Sequence, residues 1–124
     1  MNKNFYHTLN KNFLIHKNQI CIEEISGRQW SYQKINDLAG RFSSFLNSLG
    51  ILKGSKVMVQ LEKSVFSIAL YLGCLKSGII YIPLNTAYTS NEISYFINNT
   101  KPDLLVLSPD KYTEHDILLS NLKE

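Results

Sequence analysis

The sequence predicts an α/β fold in which an N-terminal helix and a β-hairpin precede a βαβαβα unit with parallel strands. From residue 55 onward, short apolar segments alternate with segments of helical periodicity. Apolar strands joined through helices run parallel, because a right-handed crossover brings each strand back beside the last one. Glycine, serine and threonine also stand where the helices of such a unit would begin and end. These observations together indicate the α/β class.

The composition excludes several classes of protein. The chain has 124 residues, a length that favours a single domain, and its net charge is +3. It contains no dense basic patch of the kind that follows nucleic-acid phosphates. It also contains no apolar run near the ~18 residues that cross a bilayer. We therefore expect neither a nucleic acid nor a membrane as a partner.

The first element is predicted to be a helix, because Phe5, Leu9 and Phe13 recur at a spacing of four. A targeting peptide is the weaker interpretation, since the segment has no arginine and only a short apolar run. The two cysteines, Cys21 and Cys74, form no CxxC pair and suit neither a zinc site nor a disulfide framework. That usage is typical of a cytoplasmic protein.

A hairpin and a long helix follow. Residues 20–25 and 28–32 are predicted to be strands around a turn at Ser26-Gly27. Ser31 is the expected N-cap of the next helix, and Gly50 is expected to end it. The apolar residues of this helix recur at spacings of three and four: Ile35, Leu38, Ala39, Phe42, Leu46 and Leu49.

The βαβαβα unit begins with a strand at residues 57–61. Ser64 is expected to open a helix that runs to about residue 77 and closes at Gly78. This helix is apolar almost all round, which predicts burial. The second strand is residues 79–84. Thr89 and Glu92 form a capping-box pattern before the next helix, which Pro102 stops. A third buried strand is expected at residues 104–107, and a final helix at residues 113–122 with Thr113 as its cap.

No self-contained active site is evident in the sequence. Ligands in open α/β sheets bind beyond the carboxyl ends of the strands, here residues 61–64, 83–89 and 108–110. None of these loops is glycine-rich, and neither GxGxxG nor GxxxxGK[ST] occurs. Glu62 and Lys63 are most simply a solvated turn. The histidines His7, His16 and His115 are isolated from one another, which favours surface positions over a metal site. We expect no catalytic residue and no metal ligand.

Three segments carry a resemblance to a known family: residues 28–32 (RQWSY), residues 50–57 and residues 78–85. They resemble the "T/SY-x-x-L", "G-x-x-x-G-D-x-V" and "G-x-x-x-x-P-L-N" patterns of AMP-forming acyl-CoA synthetases, members of the adenylate-forming superfamily. Ser55-Lys56 departs from the acidic-basic pair of many members. Glu62-Lys63-Ser64-Val65 and the segment at residues 81–89 are similar to the malonyl-CoA synthetase branch, which activates malonate or methylmalonate. The resemblance covers residues 4 to 109 and implies the first subdomain of the adenylate-forming fold.

The resemblance also implies a chemistry and a candidate site. A full-length relative would use ATP, magnesium and CoA to convert a small carboxylate through an acyl-adenylate to its CoA thioester. In that family the loop holding Thr86, Ala87 and Tyr88 faces the channel by which CoA approaches. Some members place a basic residue where this sequence has Ala87. The alternative interpretation of the three residues is a packed strand-to-helix connection.

Motifs that the sequence lacks shape the functional hypothesis. The family's phosphate loop "T-S-G-T-T-G-x-P-K-G", its "Y-x-x-T-E" and its C-terminal lysine have no counterpart in residues 1–124. The resemblance thus implies a single incomplete domain, a truncated N-terminal fragment that is inactive alone, binds none of these cofactors and self-associates. The alternative is a stand-alone binding or interaction module that retains the fold. A small flavodoxin-like nucleotide binder is weaker, because no phosphate loop follows any strand.

Overall fold

The structure is a computed structural model that describes residues 5–122. It forms two compact units, one comprising residues up to Gly54 together with Lys63–Ile80, the other Ser55–Glu62 together with Tyr81 onward. The elements are, in chain order, α1 (Phe5–Ile15), β1 (Ile20–Glu23), β2 (Gln29–Ser31), α2 (Tyr32–Ser48), β3 (Lys56–Gln60), α3 (Val65–Ser77), β4 (Ile80–Pro83), α4 (Ser90–Thr100), β5 (Leu104–Leu107), α5 (Pro109–Glu114) and α6 (Asp116–Ser120). This order confirms the predicted α/β class.

The first unit is built on the α2–α3 helix pair, against which α1 also packs. Its core combines residues from both helices with aromatic residues of α1 and the hairpin: Tyr6, Phe13, Trp30, Ile35, Ala39, Val65 and Leu72. The strands β1 and β2 pair antiparallel, as predicted, but each is shorter than expected. The hairpin is closed by the segment 24–28, where Gly27 adopts a φ of 95°.

The predicted N-caps of α2 and α3 and the predicted glycine at the end of α3 are confirmed. Ser31 accepts a hydrogen bond from the Lys34 amide at 3.1 Å and caps α2. Ser64 caps α3 through a reciprocal capping box with Ser67. Gly78 closes α3 with a φ of 69°, a left-handed conformation that glycine adopts without steric cost. Local sequence chemistry therefore sets the helix ends of this unit.

The prediction that α3 is buried all round holds for one side only. Val65, Ala69 and Cys74 are buried, whereas Phe66 and Ile68 remain 52% and 42% exposed. An apolar composition indicates which residues can be buried, but which face meets the core depends on the packing partner. In this chain the packing partners of α3 are α2 and, to a smaller extent, α1, and Phe66 and Ile68 lie outside the buried face.

The second unit contains a three-stranded sheet in the order β4-β3-β5. The strands β3 and β5 run parallel, with Val57 opposite Leu104 and Gln60 opposite Leu107. The central strand β3 is buried along most of its length, whereas β5 is half-buried, so the prediction that β5 is a buried strand is wrong. Its position at the sheet edge explains the difference, because an edge strand has a neighbour on one side only.

The prediction of a single C-terminal helix at residues 113–122 is also wrong. Two short helices replace it, and α5 begins at Pro109, four residues before the expected cap Thr113. Proline suits the first turn of a helix, since its missing N–H would have no partner there. Thr113 lies inside α5, and its hydroxyl donates to the Pro109 carbonyl at 3.3 Å. No helix in the described part of the chain is long and apolar enough to cross a membrane.

Candidate functional site

The candidate site is the loop that joins β4 to α4 at the carboxyl edge of the sheet. Asn85 folds the loop back on itself: its side-chain Oδ1 accepts from the Ala87 amide at 2.8 Å, and its carbonyl accepts from the Tyr88 amide at 3.0 Å. Thr89 then caps α4 in a capping box with Glu92, as predicted. Asparagine favours such turns because its short side chain bonds to the backbone two residues on. We call residues 85–88 the β4–α4 loop.

A buried glutamine supports this loop from below. Gln60 ends β3, and its side chain is fully shielded from solvent. Its Nε2 donates to the Asn85 carbonyl at 3.0 Å and to the Tyr88 carbonyl at 3.2 Å. Because both carbonyls belong to the β4–α4 loop, one side chain holds both ends of the loop against the central strand.

His115 completes a buried polar network. It lies between α5 and α6 with no exposed surface. Its Nε2 is 2.8 Å from Gln60 Oε1, and its Nδ1 is 2.6 Å from the Ser90 hydroxyl at the start of α4. The prediction that His115 is a surface histidine is therefore wrong. Both of its partners are distant in sequence, so no local pattern could have indicated them. His7 and His16 are exposed, as predicted.

The three residues singled out in the sequence occupy different environments within the loop. Ala87 is exposed, and Thr86 is half-buried. Tyr88 stacks on Phe96 of α4, with ring centroids 5.2 Å apart and planes inclined by 29°. Tyr88 also packs against the buried cluster of Met58, Leu84 and Ile93. The ring of Tyr88 is thus a packing group, and Ala87 is the exposed member of the three.

Metal-ligating side chains do not cluster at the loop within the described residues. No three histidine, cysteine, aspartate or glutamate side chains among residues 5–122 converge on a point. At the end of β5, the Ser108 hydroxyl donates to Asp110 at 2.5 Å and lowers the pKa of that exposed carboxyl. What the site offers is an uncharged turn whose backbone is held by hydrogen bonds from Gln60 and Asn85.

The two cysteines are expected to differ in reactivity. Burial raises the pKa of the Cys74 thiol to about 11, and its side chain has no exposed surface. Burial also raises the pKa of Cys21, but that residue is only half-buried. Because the thiolate is the reactive form, a thiol-specific disulfide reagent at pH 8 should modify Cys21 first, and Cys74 only after unfolding. Comparison of Cys21→Ser with Cys74→Ser identifies each phase; rapid native-state labelling of the Cys21→Ser variant would contradict the assignment.

Comparisons of sequence and of structure each match most of this chain to known proteins. The family model described as "AMP-binding enzyme" matches residues 9–124. The crotonobetaine/carnitine–CoA ligase of Salmonella paratyphi A is 32% identical over 98 residues, which cover 77% of this chain and 19% of that protein. The crystal structure of apo MatB from Rhodopseudomonas palustris has 35% identity and a TM-score of 0.87, covering 97% of this chain and 24% of that chain.

A further structure supports the fold alone. The N-terminal domain of FACL13 from Mycobacterium tuberculosis has a TM-score of 0.89 at 23% identity, covering 98% of this chain and 31% of that chain. The chain therefore spans about a fifth to a third of the lengths of these proteins. The predicted first-subdomain architecture of the adenylate-forming fold is confirmed by these likenesses.

Proposed function

Because the chain belongs to the AMP-binding enzyme family, we propose that it forms the N-terminal part of an acid–CoA ligase. The observation that carries this proposal is the likeness to MatB over 97% of this chain at 35% identity. The similarity of residues 81–89 to malonyl-CoA synthetases favours malonate or methylmalonate as the acid. The role of the chain is structural: it supplies a helical unit, a sheet and the β4–α4 loop to a larger enzyme.

The reaction proposed for the whole enzyme has two steps. The carboxylate of the acid attacks the α-phosphorus of ATP, which forms an acyl-adenylate and releases pyrophosphate. The thiol of CoA then attacks the acyl carbon, and AMP leaves. Magnesium, when bound, would offset charge on the phosphates. Residues 1–124 contain no Thr/Ser/Gly-rich phosphate loop, so we assign these charge-stabilising groups to other parts of the enzyme.

Within this scheme Thr86, Ala87 and Tyr88 are proposed to border the approach of CoA. The loop is uncharged, and its backbone is held by Gln60. We therefore expect it to contribute shape and backbone polar groups to CoA, not an ion pair with its phosphates. Ala87 is the loop's exposed member among these three, and a bulky side chain at that position would project toward the proposed channel.

The isolated chain is predicted to be inactive. Residues 1–124 lack the family's phosphate loop and its C-terminal lysine. Without them the nucleotide is not held in position and the charge of the transition state is not stabilised. Purified protein, supplied with ATP, magnesium and malonate, should give no pyrophosphate exchange above a protein-free blank. Exchange that depends on both malonate and protein would overturn the assignment of a structural role.

A chimera tests the positive side of the proposal. This chain replaces the matching N-terminal quarter of MatB, and the control is MatB with that quarter deleted. We expect malonate-dependent pyrophosphate release from the chimera and none from the deletion. A folded but inactive chimera would count against a ligase scaffold and favour a stand-alone interaction module.

The preferred acid is tested with the DNA after codon 124. If that DNA encodes the phosphate loop in frame, the enzyme expressed from the extended frame should prefer malonate or methylmalonate to crotonobetaine.

A further inference from the structure

The buried network of the second unit joins three segments that are far apart in the sequence. Gln60 comes from the end of β3, Ser90 from the start of α4, and His115 from the junction of α5 and α6. Gln60 and His115 have no exposed surface, so water does not compete for their bonds. Buried polar groups of this kind need every donor and acceptor matched, because an unmatched one is costly.

That requirement determines where the protons lie. The Gln60 amide nitrogen donates to the carbonyls of Asn85 and Tyr88, so its Oε1 faces His115. A carbonyl oxygen can only accept, and the Nε2 of His115 must therefore carry a hydrogen. In the neutral ring Nδ1 is then an acceptor, which the Ser90 hydroxyl satisfies at 2.6 Å. The nearest Glu114 carboxylate oxygen is 3.6 Å from Nε2, beyond ordinary hydrogen-bond length.

We propose that His115 is a positioning residue: as the Nε2–H tautomer it orients the Gln60 amide, which in turn holds the β4–α4 loop. The bonds run in one direction, from the Ser90 hydroxyl through the imidazole and the glutamine amide to two loop carbonyls. If the Nε2 donor is lost, the Gln60 amide can rotate, and its two bonds to the loop weaken together. Any effect of this network on CoA binding rests on the proposed function. The coupling of His115 through Gln60 to the β4–α4 loop does not.

The first test requires no substitution. The ¹⁵N chemical shifts and ring-proton couplings of the labelled chain near pH 7.5 report which imidazole nitrogen is protonated. We expect His115 to show a protonated Nε2 and an unprotonated Nδ1. The exposed His7 and His16 serve as references for imidazoles in rapid exchange. The opposite tautomer at His115 would overturn the proposal.

The second test uses two substitutions that differ in where they place an amide. In His115→Gln the side-chain NH₂ can reach the former Nε2 position and still donate to Gln60, whereas the shorter side chain of His115→Asn reaches only the Nδ1 position. The readout is hydrogen exchange at the Ala87 and Tyr88 amides, with the β3 amides as the reference for global opening. We expect H115N to accelerate exchange in the loop about tenfold relative to β3, the effect of one lost hydrogen bond.

H115Q should restore most of the loop protection. Equal loop protection in H115N and the unchanged chain would overturn the proposal, and so would equal acceleration in H115N and H115Q. If H115N does not fold, the ¹⁵N measurement of the His115 tautomer in the unchanged chain decides whether the proposal stands. None of these measurements involves turnover, so their outcome is independent of whether the MatB chimera is active.

Discussion

Replacement of Gly73 by alanine is expected to destabilise the first unit by about 2 kcal/mol. Gly73 lies in α3 where this helix crosses α2, and an added Cβ would lie 2.7 Å from the Ala39 carbonyl oxygen and 3.2 Å from the Ser43 amide nitrogen. These two atoms belong to a helix backbone, and the third close atom is the Phe42 Cβ at 3.0 Å, so none of them can move aside as the end of a flexible side chain could. The helices would have to separate, which would also disturb the hydrogen bond between Ser43 and Ser77.

Gly40→Ala is the matched control. Gly40 is also a helical glycine, but its added Cβ would lie 3.4 Å from the Lys76 ammonium, the mobile end of a long side chain. Alanine is favoured over glycine in a helix by up to about 1 kcal/mol, so this variant should be slightly stabilised. Trp30, the only tryptophan, is buried in the first unit and reports its urea unfolding by fluorescence. Equal midpoints for the two variants would mean that α2 and α3 do not approach closely.

The two glycines differ in a property that the sequence does not reveal, namely what lies opposite each of them in the fold. The starts of α2, α3 and α4 were predictable because an N-cap is a local event: a serine or threonine hydroxyl accepts a hydrogen bond from the amide three residues on. The close contact at Gly73 was not, since it depends on which face of α2 lies opposite. The exposure of Phe66 has the same origin, because hydropathy indicates that a helix can be buried but not how much of it finds a partner.

The candidate site likewise has a part that was identified from the sequence and a part that was not. The β4–α4 loop was one of three loops that the sequence places at the carboxyl ends of strands, and only the resemblance to acyl-CoA synthetases singled it out. The groups that hold it could not be identified from the sequence. Gln60 closes a strand that is otherwise mostly apolar, and His115 follows a short helix that the pattern placed elsewhere. Their partners lie 25 to 55 residues away in the chain, so only the tertiary structure brings the network together.

Gln60→Glu is expected to destabilise the second unit by about 2–5 kcal/mol at pH 7. The substitution changes one amide nitrogen to oxygen and leaves the shape intact. The new oxygen would face the carbonyls of Asn85 and Tyr88, which both accept hydrogen bonds from the wild-type nitrogen at 3.0 and 3.2 Å. Two attractions become two repulsions in a site with no exposed surface. Far-UV circular dichroism during urea unfolding, together with β3 hydrogen exchange, measures the loss.

The pH dependence of this loss identifies its cause. Burial against two carbonyl oxygens is expected to raise the folded-state pKa of the introduced carboxyl above its unfolded value of about 4.3, and the bond from His115 Nε2–H to the other oxygen offsets only part of that rise. The variant therefore loses stability relative to wild type as pH rises through the raised pKa, and recovers part of it toward pH 5, where a protonated carboxyl can donate to one loop carbonyl. Gln33→Glu is the control: it adds the same charge at an exposed position in the first turn of α2, where the helix dipole favours an acid. Equal stability of the two variants at pH 7 would show that Gln60 does not hold the β4–α4 loop through its amide nitrogen.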